Sequence, residues 1–259
     1  MQTFKKISVI IPLLNETKNL LALLYSLQIL RSQGHEIIVV DGGSTDGSLQ
    51  QLKALVEPNQ KLSATAVTNV DDTGFLIDSL LESTPGRAIQ MNLGATLATG
   101  DLLWFVHADS TLSTEVIKAL MQLSVCHALA MKPRIGLWGW FNIKLSGNLM
   151  SLKIIQGLMN FRSRMSSIAT GDQAMFVDKN LFEQVGRFQE IPIMEDIALS
   201  QQLKKICRPV RLKNKLITSS RRWEKNGVWR TVFLMWRLRW EYALGKDPVI
   251  LAQRYRNNE

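Results

Sequence analysis

Cysteine is scarce: Cys126 and Cys207 are the two in 259 residues, and they form no CxxC pair. That spacing excludes a disulfide framework and a cysteine zinc site, and it fits a reducing, cytosolic setting. No stretch approaches the roughly 20 uncharged apolar residues that a membrane-spanning helix needs. The opening MQTFKKISVIIPLLNE carries only a short apolar run, interrupted by Pro12 and ended by Asn15-Glu16. Without a small-residue cleavage site it reads as a first strand and not as a signal peptide. The chain has no Walker lysine loop, no GxGxxG fingerprint and no Ser-His-Asp arrangement. Internal repeats and low-complexity linkers are also missing. Acid is short at one end: residues 201–259 hold 15 Lys/Arg against 4 Asp/Glu, which leaves the other 200 residues at −2 of the net +9. A basic tail on a near-neutral body points to an anionic partner: a membrane surface, a phosphorylated ligand or nucleic acid.

What is present is ordinary globular composition, 46% hydrophobic and 20% charged, with enough chain for one large core or a core plus an appendage. The stretch GRAIQMNLGATLATGDLLWFVHADS at 86–110 organises the rest. Ala88, Ile89, Leu93 and Leu97 recur at helical spacing. Gly100 follows where a helix favours a left-handed cap. Leu102 to Val106 reads as a strand buried on both faces, and it delivers His107-Ala108-Asp109 to its exit. Asp109 or Ser110 as a cap for a helix near 114–123 is the structural alternative. Before this, Ile7–Leu14 reads as a strand, and Leu20, Leu23, Leu24, Leu27 and Leu30 mark a helix closed by Gly34. Strand 36–40 then delivers Asp41 to the loop Gly42–Gly47, with a further strand expected near Ala64–Thr68 and a polar, turn-rich stretch at 69–85.

Strand–helix alternation predicts an α/β fold, a mostly parallel sheet with helices on both faces. Right-handed crossovers then bring Asn15-Glu16, Asp41 and Asp109 to one sheet edge, where open α/β sheets bind ligands. Beyond residue 130 the pattern changes. Ile135, Leu137, Phe141, Ile143 and Leu145 alternate with Trp138 and Trp140, as in an antiparallel strand whose tryptophans face a cleft or a partner, with core packing as the alternative. Helices are expected near 148–162 and 181–185, a strand at 174–177, and a helix after Pro192 with Leu199, Leu203 and Ile206 as its buried stripe. Glu195 and Asp196 lie in its first turn, where the helix dipole alone would favour acids.

The motifs SVIIPLLNE, IIVVDGGSTDGS, GDLLWFVHADS, GDQAMFV and MEDIALSQQLKK, in this order, resemble the family 2 glycosyltransferases of the GT-A fold over nearly all of residues 6–224. The combination GRAxQxNxGA, HAD, GDQ, EDxxLS and SSRRW is similar to a bacterial subgroup associated with arsenosugar biosynthesis; similar proteins are labelled carotenoid-acid glycosyltransferases. The resemblance implies a GT-A domain at 1–224, with a nucleotide-binding half to about 110 and an acceptor half after it, followed by a Trp/Arg-rich helical tail at 225–259. It implies a nucleotide-sugar donor, usually a UDP-sugar, transfer with inversion to a small-molecule or lipid-like acceptor, and a divalent cation, Mn²⁺ or Mg²⁺. Pro12, Asn15, Glu16, Gly43 and Ala108 would line the nucleotide pocket, Asp41 would hold the base, and Arg87 and Asn92 would face the ribose or diphosphate. Asp109 would bind metal and Asp196 would be the general base, with Glu195 beside it. Asp172, Gln173, Arg221, Arg222 and Trp223 would border the diphosphate or acceptor.

Two departures stand out. His107 replaces the first acid of the usual DXD pair, and imidazole suits Mn²⁺ better than Mg²⁺. Gly42 follows Asp41 where many members carry a second acid. A nucleotidyltransferase is a rival, but no GTRxxP-like loop follows the first strand. A binding module using the tail is another; among partners nucleic acid ranks last, because it leaves the acidic strand exits without a role. Within 227–244, Val228, Val232, Met235, Leu238 and Tyr242 recur at helical spacing. That face suits the headgroup layer of an anionic membrane, packing on the body, or a homodimer contact. The expected location is cytoplasmic, with the inner face of the cell membrane within reach of the tail.

Overall fold

The computed structural model describes residues 5–55, 76–129 and 136–257. Its first half runs β1 (Ile7–Leu13), α1 (Thr17–Arg31), β2 (Glu36–Asp41), α2 (Ser48–Lys53), β3 (Ser79–Glu82), α3 (Arg87–Leu97), β4 (Leu102–Phe105) and α4 (Thr114–Ala128). The second half runs β5 (Trp138–Leu145), α5 (Met150–Ser166), a 3₁₀ turn at Gly171–Gln173, β6 (Phe176–Asp178), α6 (Lys179–Gln184), α7 (Glu195–Ile206) and β7 (Val210–Thr218). The chain then closes with α8 (Arg221–Asn226), α9 (Val228–Ala243) and α10 (Pro248–Arg256).

One seven-stranded sheet has the order β3-β2-β1-β4-β6-β5-β7. The first four strands pair in parallel. β6 is antiparallel to β4 and β5, and β7 returns parallel to β5 across a bulge at Phe141/Asn142. The expected α/β architecture is what forms. β1 shows why: Val9 and Ile11 enter the layer under α1 and α4, while Ile10 enters the layer under α3 and α7. A strand covered on both faces needs an unbroken apolar run, and each such side chain contributes roughly 1.5–3 kcal/mol when fully buried.

Several local expectations are revised. Gly100 is not a left-handed cap: α3 ends at Leu97 with Ala98 as its C-cap, and Gly100 lies against β1, where a Cβ would stand 2.7 Å from the Lys6 carbonyl. Asp109 and Ser110 do not cap α4; Ser113 holds that place. The stretch 69–85 contains β3, too short and too polar to declare itself, and the strand expected at 64–68 lies outside the described residues, as does Ile135. Trp138 and Trp140 belong to the core, at 0% and 1% exposure, with the Trp138 indole N–H donating to the Cys207 carbonyl. β7 was not expected, although VRLKNKLIT alternates along its length.

The tail is part of the body. Leu238 of α9 and Leu251 of α10 pack with Met194 and Ile197, and Val232 packs with Leu145, Leu152 and Ile155. The periodic stripe read as a membrane face is thus partly turned inward; Trp229, Phe233 and Trp240 face out instead. Among the described residues no helix is long and apolar enough to cross a membrane.

His35 accepts the Ile7 N–H through Nδ1 at 3.1 Å, which requires the neutral ring. Burial, aided by the Lys6 charge, lowers its pKa to about 4. The unfolded chain takes up this proton near pH 6.5. The contribution is therefore complete above about pH 6.5 and is lost as pH falls through about 4. Urea midpoints should decline across this window by the equivalent of up to about 3 kcal/mol, and His35→Gln should flatten the decline. An equally steep profile in the variant would refute this.

Candidate active site

The parallel strands β1, β2 and β4 end at one edge and deliver the expected residues there. After β1, Asn15 adopts a left-handed conformation (φ 55°) and accepts the Thr45 N–H at 2.8 Å, tying this exit to the glycine-rich loop. Glu16 accepts from Arg221 at 2.7 Å, joining the first exit to the start of α8. After β2, Asp41 is fully buried; its Oδ2 accepts the N–H groups of Gly43 and Ser44 at 2.9 Å each. Its Oδ1 is buried without a hydrogen-bond partner among the described residues, where a buried acceptor is normally paired. After β4 come His107, Ala108 and Asp109.

Two other groups approach this edge. In the 3₁₀ turn, Gly171 lies so close to His107 that a Cβ would collide with the imidazole. Its N–H donates to Asp196 Oδ2 at 2.7 Å, and the Ile197 N–H donates to Asp196 Oδ1 at 2.7 Å. Asp196 therefore links the turn to the first turn of α7. Asp172 Oδ1 stands 3.7 Å from His107 Nδ1. Burial works against the Asp172 carboxylate, but His107, Arg87 and Arg239 together hold its pKa below the ordinary value. Glu195 is 3% exposed, and burial raises its pKa against the opposing charge of Arg87, 3.3 Å away. Arg87 sits deep among protein atoms yet half open to the cavity. Burial disfavours its charge, but Glu195, Asp196 and Asp172 outweigh that and raise its pKa.

These residues line two adjoining cavities. The smaller, about 500 Å³, is bounded by Pro12, Glu16, Ala108 and the start of α3. The larger, about 950 Å³, takes in Asp172, Glu195, Asp196, Arg221 and Trp223. They share Glu16, Arg87, His107, Asp109 and Pro192.

Not every expected residue reaches a cavity. Asn92 has both ends of its amide bonded to the Phe188 backbone, at 2.9 and 3.1 Å. Gln173 is fully buried and closes a capping box with Thr170. Asp41, Asn15 and Gly43 line neither cavity, and the Arg222 side chain lies outside the described residues. Residues not singled out do contribute. Gln90 donates to the carbonyls of Leu13 and Val40 at 2.7 and 2.8 Å, bracing the ends of β1 and β2. Tyr255 and Arg256 of α10 reach the cavity walls. Within its motif Gln90 was visible; α10 gave no comparable signal.

For a cation the donor set is thin. Among the described residues no group of three or more His, Cys, Asp or Glu is arranged to hold a metal. Asp109 at the junction of the cavities fits a site of the kind that Mg²⁺ uses, one carboxylate completed by substrate phosphates and water. His107 is engaged on its Asp172 side.

Residues 8–125 match the family model described as Glycosyl transferase family 2. The undecaprenyl-phosphate 4-deoxy-4-formamido-L-arabinose transferase of Yersinia pestis (strain Pestoides F) is 31% identical over 126 residues, 48% of this chain and 35% of the relative. The match thus spans about a third of that relative's length. In structure the chain is similar to S. aureus TarS (19% identity, TM-score 0.59, covering 83% of this chain and 36% of the other). It is likewise similar to the mannosyltransferase PcManGT from Pyrobaculum calidifontis, in complex with GDP-Man and Mn²⁺ (18%, TM-score 0.57, covering 83% and 56%). TarS 1-349 in complex with UDP-GlcNAc is 20% identical, with TM-score 0.59 and coverage of 83% and 58%. This likeness shows the fold, which is GT-A.

Asp196→Ala leaves the Gly171 N–H without its acceptor. The loss should be about 1–3 kcal/mol of unfolding free energy in urea, and Asp196→Asn, which keeps an accepting oxygen, should lose less. A wild-type midpoint for the alanine variant would refute the link.

Proposed function

We propose that this chain is a family 2 glycosyltransferase that moves a sugar from a nucleotide-diphosphate donor to an acceptor hydroxyl, with inversion. The reading is carried by the two cavities that meet at Glu16, Arg87, His107 and Asp109. A transferase needs two substrates held side by side, with charge control at the seam. The match of residues 8–125 to the family model supports it.

In this reading the nucleotide lies against the exits of β1 and β2, and the Oδ1 of Asp41, buried behind that edge here, accepts from the base once the Gly42–Gly47 loop gives way. The unsatisfied oxygen supports that role. The TarS complex contains a UDP-sugar, and a UDP-sugar is the donor we favour here. Asp109 and the diphosphate would hold Mn²⁺ or Mg²⁺, which when bound neutralises the leaving group as a Lewis acid. Arg87 and Arg221 border the same space and favour the developing negative charge. Asp196 takes the proton from the acceptor hydroxyl as it attacks the anomeric carbon from the side opposite the diphosphate. Both its oxygens already accept backbone N–H groups, which orients the carboxylate and leaves further lone pairs toward the cavity. Glu195, buried and 3.3 Å from Arg87, is placed to fix that guanidinium.

The larger cavity opens between α5 and α9, whose outer surfaces expose Phe161, Met165, Phe233 and Trp240. This supports a lipid-like acceptor and peripheral contact with an anionic membrane through the tail.

The reading is tested by release of nucleoside diphosphate from a panel of nucleotide sugars with Mn²⁺ or Mg²⁺. Asp41→Ala should weaken UDP binding about tenfold or more in calorimetry, as loss of a hydrogen bond to a buried charge implies; equal affinities would remove Asp41 from the donor site.

Asp196→Asn should bind UDP normally and lose at least about a hundredfold in kcat. If turnover survives, Asp172 becomes the next candidate for the base.

A further inference from the structure

Arg162 of α5 and Arg239 of α9 both line the larger cavity, and neither lines the smaller one. The Nε of each is buried without a hydrogen-bond partner among the described residues. Arg162 donates to Ser163 Oγ at 3.0 Å, a neutral partner. Asp172 and Asp196 share the cavity but are committed elsewhere: Asp196 to two backbone N–H groups, Asp172 beside His107. Burial and the neighbouring Arg239 lower the Arg162 pKa to about 10, and burial lowers that of Arg239, in both cases against the charges of Asp196 and Asp172. Asp196 and Asp172 act on both guanidiniums, but among the described residues no carboxylate stands within ion-pair distance of either, and two like charges in a partly desolvated wall favour an anion that completes them. Around them the walls are apolar: Ile155, Leu158 and Met159 from α5, Val232, Met235 and Trp236 from α9.

We propose that Arg162 and Arg239 seat an anionic group, phosphate or carboxylate, carried on the apolar chain of the acceptor that α5 and α9 enclose. The proposal rests on the reading of the larger cavity as the acceptor site. It adds that the acceptor is an amphiphilic anion, held by its charge next to Asp196.

The test is calorimetric titration of the full chain with decyl phosphate, decanoate and decanol, each below its aggregation threshold, with inorganic phosphate as the chainless probe. At least one decyl anion should bind about tenfold or more tighter than decanol, and inorganic phosphate should bind more weakly than decyl phosphate. The two anions tell a phosphate from a carboxylate preference. Arg162→Gln and Arg239→Gln should each remove most of this advantage while UDP affinity stays unchanged, and Arg239→Lys should retain part of it. Decanol binding as tightly as both anions overturns the proposal on wild-type protein alone, whether or not the variants fold. So does an undiminished anion preference in both glutamine variants, or an equal loss of UDP affinity, which would assign the arginines to the donor. Absence of UDP binding and sugar release in the wild type would instead sink the transferase reading, a separate result.

Discussion

Arg87 stands in the first turn of α3 with Glu195 3.3 Å away, and the charges of Asp172 and Asp196 act on it as well. Three carboxylates near one another in a partly desolvated space would otherwise raise each other's proton affinity and drift apart or neutralise. The guanidinium opposes the burial that raises the Glu195 pKa and helps hold that of Asp172 below the ordinary value. Its position also joins the first half of the sheet to the second, because α3 follows β3 while Glu195 opens α7. With that junction fixed, Asp196 can hold the Gly171 N–H, and Gly171 can lie against His107. Removing the central cation would affect each of these contacts in turn.

The same logic explains a tail that is basic yet packed. Glu241 gathers Arg237, Lys246 and Arg254, and hydrogen bonds from the first two lower its pKa to about 2. Part of the positive charge is therefore compensated within α9 and α10 themselves. Leu238 and Leu251 then dock these helices onto α7, and Val232 docks α9 onto β5 and α5. The large cavity exists because this docking leaves a gap between α5 and α9, over the carboxylates. A stretch with the composition of an appendage thus becomes a wall of the site.

Much of this was legible from local pattern. The apolar runs of β1, β2 and β4 specify strands buried on both faces, and the parallel topology follows from the helices between them. The placement of Glu16, Asp41 and Asp109 at one edge follows in turn. The short β3 has no period to read, whereas the alternation of β7 is a signal the sequence does carry. Asn92 and Gln173 sit inside recognisable motifs, yet they brace the backbone at Phe188 and Thr170; a motif marks that a residue matters but not what it touches.

The sequence by itself determined the buried strands β1, β2 and β4, their polarity and the acids at their exits, because hydrophobic period and chain direction are local properties. Only the tertiary structure decided which charges share a cavity. Glu16 meets Arg221 across 205 positions of chain, and Arg162 shares a cavity wall with Arg239 from a different helix. Electrostatic partnership depends on distance in space and on desolvation. Neither is encoded in the spacing of residues along the chain, so the pairing of Arg87 with Glu195 and the open faces of Arg162 and Arg239 emerge only when α7, α9 and α10 have packed.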